Sequence, residues 1–160
     1  MIFLTKRIRA YRGLKLIKEF GAGRIVDVGS GDNFFVNKLK GLGYDADGLE
    51  LERGKDFLKM RPEKASIITG LALLWHIDVK KFFNRCKRWD AERIILIQGN
   101  GLLEPITRMY SIGHKHEVTK ICDIIDFAGN EDYVLIGFRK GLLWFSLVFE
   151  KRSLIQAGFL

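Results

Sequence analysis

Asp27, Gly29, Gly31 and Glu50 are the residues whose types and spacing bear most directly on chemistry in this 160-residue sequence. Asp27 lies near the end of the apolar run RIVDV, and Gly29-Ser30-Gly31 follows just ahead of a helix-like segment. Glycines at a strand-to-helix turn allow a sharp bend and let a ligand approach bare backbone. The amino end of the following helix offers free N–H groups and partial positive charge. Glu50 stands 19 residues beyond Gly31, at the close of a second short apolar run. A carboxylate placed there can grip two ribose hydroxyls. The set suits a nucleoside-containing ligand. Plainer roles exist beside it: a turn cap for Asp27, a surface carboxylate for Glu50. The titratable candidates for proton transfer are the three histidines, His76, His114 and His116, although a lone histidine is more often structural.

The same residues exclude other ligands. A dinucleotide fingerprint needs a third glycine three residues after the second, and Phe34 stands there, so NAD and FAD are disfavoured. No Gly-Lys-Ser/Thr follows the turn, which removes a P-loop. Neither a carboxylate cluster nor a His cluster occurs, and Cys86 and Cys122 lack Cys-x-x-Cys spacing; no metal site is expected.

The elements that must position these groups follow from periodicity. Ile8, Tyr11, Leu14, Ile17 and Phe20 recur every third residue with Lys and Arg between them, which predicts an amphipathic helix over 6–20 closed by Gly21 and Gly23. Strands are predicted at 24–28, 44–50 and 66–69, the last bounded by Gly70. A helix capped by Ser30 or Asp32 runs to about Lys40. Residues 54–62 are ambiguous between a short helix and a degenerate strand. Val79, Phe82, Phe83, Cys86 and Trp89 share one face of a helix over 78–89. RIILIQ, 93–98, is a continuous apolar run of the kind found in a parallel sheet covered on both faces. An irregular stretch over 99–113 precedes a helix over 117–128 with Val118, Ile121, Ile124, Ile125 and Ala128 inward. DYVLIGFRKGLLWFSLVFEKR reads as two antiparallel strands around Lys140-Gly141. Alternating helices and strands predict an α/β fold with a mainly parallel sheet, a C-terminal antiparallel hairpin and helices on both faces.

In this order the segments resemble those of class I, Rossmann-like, S-adenosylmethionine-dependent methyltransferases. VDVGSGDNF resembles the family's first motif, and DGLELE the end of its second strand. SIITGLALLWHID resembles the fourth strand and the segment after it. GHKHEVTKICDIIDFAGNEDYVLIGF resembles the late His-x-His, helix and strand sequence. The likeness covers residues 24–150. It implies one Rossmann-like domain over 1–160, made of a basic amphipathic helix over 1–23 and a core over 24–150. It also implies S-adenosyl-L-methionine as cofactor. Asp27, Gly29, Ser30 and Gly31 then surround the methionine moiety, Glu50 holds the ribose and Leu51 lines the adenine. Asp56 and Phe57 are candidates for the adenine edge and face, although Asp56 suits a helix cap equally well. Gly70 and Leu71 pass the sulfonium. The chain departs from the pattern at Asn33, where a third glycine is usual, and at Trp75, where Glu usually precedes the histidine. Residues 51–65 are short for a third strand and its helix, so that part of the adenine wall is abbreviated.

The acceptor is open. TGLALLWH stands where nucleic-acid amino-methyltransferases often carry Asn/Asp-Pro-Pro-aromatic, and no Pro-Cys nucleophile occurs. A small molecule, a protein or an RNA remains. The formal net charge is +8, with seven Lys/Arg against one acid in residues 1–24 and a second cluster at Lys80, Lys81, Arg85, Lys87 and Arg88. That balance admits an anionic partner, or simply a solvated basic face. In the family, a helix before the first motif often lies across the cleft. Here Arg7, Arg9 and Arg12 are expected to point to solvent or acceptor. The alternative function is a non-catalytic basic module that binds nucleic acid or a protein. The opening apolar run is too short for a signal-peptide core, no run is long enough for a membrane span, and the cysteines read as buried free thiols, so a cytoplasmic location is expected.

Overall fold

The apolar runs around Ile25, Ile67 and Ile94 lie side by side at the centre of one sheet. The structure is a computed structural model that describes residues 2–21, 23–74, 76–99, 120–141 and 144–158. The elements run α1 (Ile2–Phe20), β1 (Ile25–Val28), α2 (Phe34–Gly41), β2 (Ala46–Leu49), a 3-10 turn (Leu51–Arg53), β3 (Ile67–Leu71), α3 (Val79–Arg88), β4 (Arg93–Gly99), α4 (Ile121–Asn130), β5 (Tyr133–Lys140), β6 (Trp144–Lys151) and α5 (Arg152–Ala157).

The six strands are ordered β2-β1-β3-β4-β6-β5. The first four are parallel, while β6 pairs antiparallel with both β4 and β5. This is the α/β architecture expected, with the hairpin supplying the antiparallel part. Alternate side chains feed two cores. Val26, Ile68, Ile94, Leu96 and Phe149 pack with Phe82, Phe83 and Cys86 of α3 and Ile124 of α4. Ile25, Ile67, Ile95 and Val148 pack with Leu14 and Ile17 of α1 and Phe35 and Leu39 of α2. Helices therefore cover both faces. Among the described residues, none of the helices is long and apolar enough to cross a membrane.

Several expectations are corrected. Strand β3 runs through Gly70 to Leu71, because Leu71 still pairs with Ile97. Residues 54–62 form neither helix nor strand but a series of turns. With no strand in 51–66, β2 becomes the sheet edge, as the short spacing implied. The buried residues of α1 are Ala10, Gly13, Leu14, Leu16 and Ile17, whereas Ile8 and Tyr11 are exposed; a helix turns every 3.6 residues, so a strict three-residue spacing drifts off the core. Cys86 is buried, but Cys122 is exposed, since it falls on the outer side of α4. Helix α5 begins where the second hairpin strand ends. Val118 lies outside the described residues, as does 100–113 of the irregular stretch.

Candidate functional site

Three parallel strands end level with one another. Val28 pairs with Leu49 on one side and with Gly70 on the other. The chain leaves β1 through Gly29 (φ 72°) and Gly31 (φ 54°), left-handed backbone that glycine adopts without strain. The N–H groups of Gly29 and Ser30 both donate to Leu49 O, at 2.8 and 3.2 Å, which anchors the turn to the end of β2. Asn33, at the family's third glycine position, is also left-handed (φ 62°), and asparagine tolerates that region better than most residues.

Glu50 follows β2 directly and folds back over the turn. Gly31 N–H donates to Glu50 Oε2 at 2.7 Å. The spacing of 19 residues thus becomes direct contact between the carboxylate and the glycine backbone. Space above Gly31 is open: a Cβ placed there would meet only Lys6 Nζ, at 3.6 Å. Next to Glu50, the Leu51 side chain is 66% exposed, a large apolar surface beside a carboxylate at the edge of the sheet. An acceptor pair for hydroxyls, bare backbone and an uncovered apolar side chain fit a nucleoside with an amino-acid tail.

Asp27 lies beneath the turn, 2% exposed. It accepts a hydrogen bond from Thr69 Oγ1 at 2.7 Å, its register partner on β3. Burial pushes its carboxyl up to about 7, and the charge of Glu50 adds to the rise; the Thr69 bond and the Arg9 guanidinium oppose it. Arg9 reaches this point from α1. Its Nη1 donates to Leu71 O at 3.5 Å, and the guanidinium stacks 5.0 Å from the Trp144 ring centre. Burial lowers its pKa, and Asp27 counters that.

Arg9 is therefore not directed at solvent. Arg12 is not either, since its Nη1 donates to Trp144 O at 3.3 Å. Arg7 alone of the three is exposed, lying 5.9 Å from the Phe34 ring centre. In the second basic cluster, Arg85 donates to Phe57 O at 2.9 Å and Lys87 pairs with Asp132 at 2.8 Å, while Lys80, Lys81 and Arg88 are exposed.

Asp56 caps a turn, accepting from Leu58 N–H at 2.9 Å. Phe57 is a correction: its ring is 3% exposed and packs at 5.7 and 5.4 Å from Phe82 and Trp89. It belongs to the core and offers no face to a ligand. Gly70 is buried, and a Cβ there would meet Leu73 and Leu96 at 3.1 Å. Leu71 is half-buried, and Ser30 is buried with its Oγ unpartnered among the described residues. His76 is exposed on the turn after β3; His114 and His116 lie outside the described residues. No group of three metal-binding side chains forms among the described residues. Sequence reasoning missed Thr69 and Gln98, each a polar residue inside an otherwise apolar strand.

No family sequence model and no curated protein sequence matches the chain. Solved structures do. Magnesium protoporphyrin IX methyltransferase from Synechocystis PCC 6803 with bound SAH superposes with a TM-score of 0.69 at 14% identity, over 92% of this chain and 84% of that one. Geranyl diphosphate C-methyltransferase from Streptomyces coelicolor gives 0.70 at 11%, over 91% and 81%. A SAM-dependent methyltransferase from Archaeoglobus fulgidus gives 0.71 at 11%, over 92% and 94%. The level strand ends, the glycine turn and this agreement over nine-tenths of the chain establish that it has the class I S-adenosylmethionine-dependent methyltransferase fold.

Proposed function

We propose that the chain is a methyltransferase that uses S-adenosyl-L-methionine and acts on a small molecule, a protein or an RNA. The observation that carries this reading is the contact of Glu50 with Gly31 N–H at 2.7 Å, above an open glycine turn. Glu50 would take the ribose hydroxyls, Leu51 the adenine face, and Asp27 with Gly29-Ser30-Gly31 the methionine end. Gly70 and Leu71 would flank the sulfonium. Bound there, the cofactor supplies a methyl group already activated for displacement. The chain's own task is then to align the acceptor and exclude water. A base is needed only for an acceptor protonated at working pH; His76 is the described candidate. With β2 at the sheet edge, Leu51 would be the wall for the adenine among the described residues.

Isothermal titration with S-adenosylmethionine and S-adenosylhomocysteine tests the reading. Saturable one-to-one binding supports it, and absence of binding to both sinks it. Transfer of labelled methyl groups into nuclease- and protease-treated lysate fractions then assigns the acceptor class.

A further inference from the structure

Gln98 sits at the carboxyl end of β4, after four consecutive apolar residues from Ile94 to Ile97, and is 2% exposed. Its Nε2 donates to Gly70 O at 3.4 Å. A main-chain carbonyl only accepts, so the amide must present its nitrogen to Gly70 and turn its own oxygen away. Among the described residues, Gln98 Oε1 has no hydrogen-bond partner. Buried acceptors without donors are few in folded proteins, because leaving one unmet is costly.

The place of this oxygen matters as much as its lack of a donor. Ligands of open α/β sheets bind outside the carboxyl ends of the strands, where strand order reverses. Here the reversal falls between β1 and β3. Gly70 pairs with Val28 on β1 and with Leu96 on β4. The Gln98 amide is thus fastened to the backbone that leads out of this crevice.

We propose that Gln98 Oε1 faces the sulfonium of the cofactor and makes the site prefer S-adenosylmethionine to S-adenosylhomocysteine. The inference rests on the methyltransferase reading above. A sulfonium carries a full positive charge and polarises its methyl C–H bonds, which then donate weak hydrogen bonds to a carbonyl oxygen. The demethylated product is a neutral thioether with neither property. Inside a protein, a fixed dipole acts on such a charge more strongly than in water. The contact is therefore lost on methyl transfer, which weakens the hold on the product.

The test needs no acceptor. Both ligands are titrated calorimetrically into the wild type, Gln98→Met and Gln98→Glu. Methionine keeps the volume and loses the carbonyl. A buried glutamic acid takes up a proton, donates it to Gly70 O and retains a carbonyl oxygen. Gln98→Met is expected to weaken S-adenosylmethionine at least fivefold and to leave S-adenosylhomocysteine within twofold. Gln98→Glu is expected to keep the wild-type ratio within twofold. Equal weakening of both ligands overturns the proposal and makes Gln98 a tie between β3 and β4. Unchanged affinities in both variants overturn it as well. If Gln98→Met does not fold, Gln98→Leu, which also lacks the carbonyl, takes its place under the same fivefold and twofold criteria. Wild-type protein that binds neither ligand refutes the methyltransferase reading itself, a result distinct from a ratio that does not move.

Discussion

Replacing Asp27 by asparagine should reveal a proton held in the interior. Burial, reinforced by Glu50, lifts the Asp27 carboxyl to about 7, against the pull of Thr69 and Arg9. The same group in an unfolded chain titrates near 3.9. Between about pH 4 and pH 7 the folded state therefore holds a proton that the unfolded state has released. The Asp27 contribution is fully present below this window and falls as pH rises through it, by about 1.4 kcal/mol per unit. Over some three units the loss amounts to about 4 kcal/mol. Asparagine imitates the neutral acid, still accepts from Thr69 and does not titrate. Urea unfolding of both proteins from pH 4 to pH 8 measures the effect. Subtracting the two curves removes every other titrating group. The stability of the Asp27→Asn variant relative to wild type should climb by about 4 kcal/mol by pH 7 and then level off. A flat difference would refute the reasoning and show Asp27 ionised throughout as the partner of Arg9.

Glu50→Ala removes a charge-assisted acceptor worth roughly 1.5–3 kcal/mol, so the Kd for S-adenosylmethionine should rise more than tenfold by calorimetry; an unchanged Kd in folded protein counts against the site. Arg9→Gln together with Arg12→Gln should lower the thermal midpoint, because both side chains contact Trp144, whereas Lys80→Gln with Lys81→Gln on the exposed side of α3 should not. Phe83→Ala empties a fully buried site between Phe82, Tyr133 and Phe149 and should cost about 3–5 kcal/mol in urea unfolding.

Much of the architecture was legible because local pattern and tertiary burial agree. β4 is covered on both faces, so an unbroken apolar run announces it. Val79, Phe82, Phe83 and Cys86 mark one side of α3 and Trp89 its C-cap, and all five are buried. The glycine turn and Glu50 were legible as a spacing, although not the bond between them. What failed depends on distant partners. Gly70 reads locally as a strand end, yet the pairing of Leu71 with Ile97 carries β3 past it. Phe57 lies in an irregular segment, and only the proximity of Phe82 and Trp89 makes it a core residue. Gly13 occupies the inner face of α1, where a Cβ would meet the Phe35 ring at 2.9 Å; a missing side chain leaves no apolar mark. Arg9 reads as one charge among many until Trp144 and Leu71 are brought beneath it.

The attachments of α1 also set an order of events in folding. Arg12 bonds to Trp144 across 132 residues and Glu19 to Arg139 across 120, while Arg93 Nη1 donates to Phe20 O at 2.6 Å. During synthesis the helix emerges long before the strands on which it rests. An isolated amphipathic helix is marginal in water, and closing so large a loop is slow. Leu14 and Ile17 of α1 rest on Ile25, Ile67 and Ile95, whereas its bonds to Trp144 and Arg139 form only once the hairpin is in place. The last-made hairpin thus fastens the first-made helix, so the two ends of the chain close the fold together.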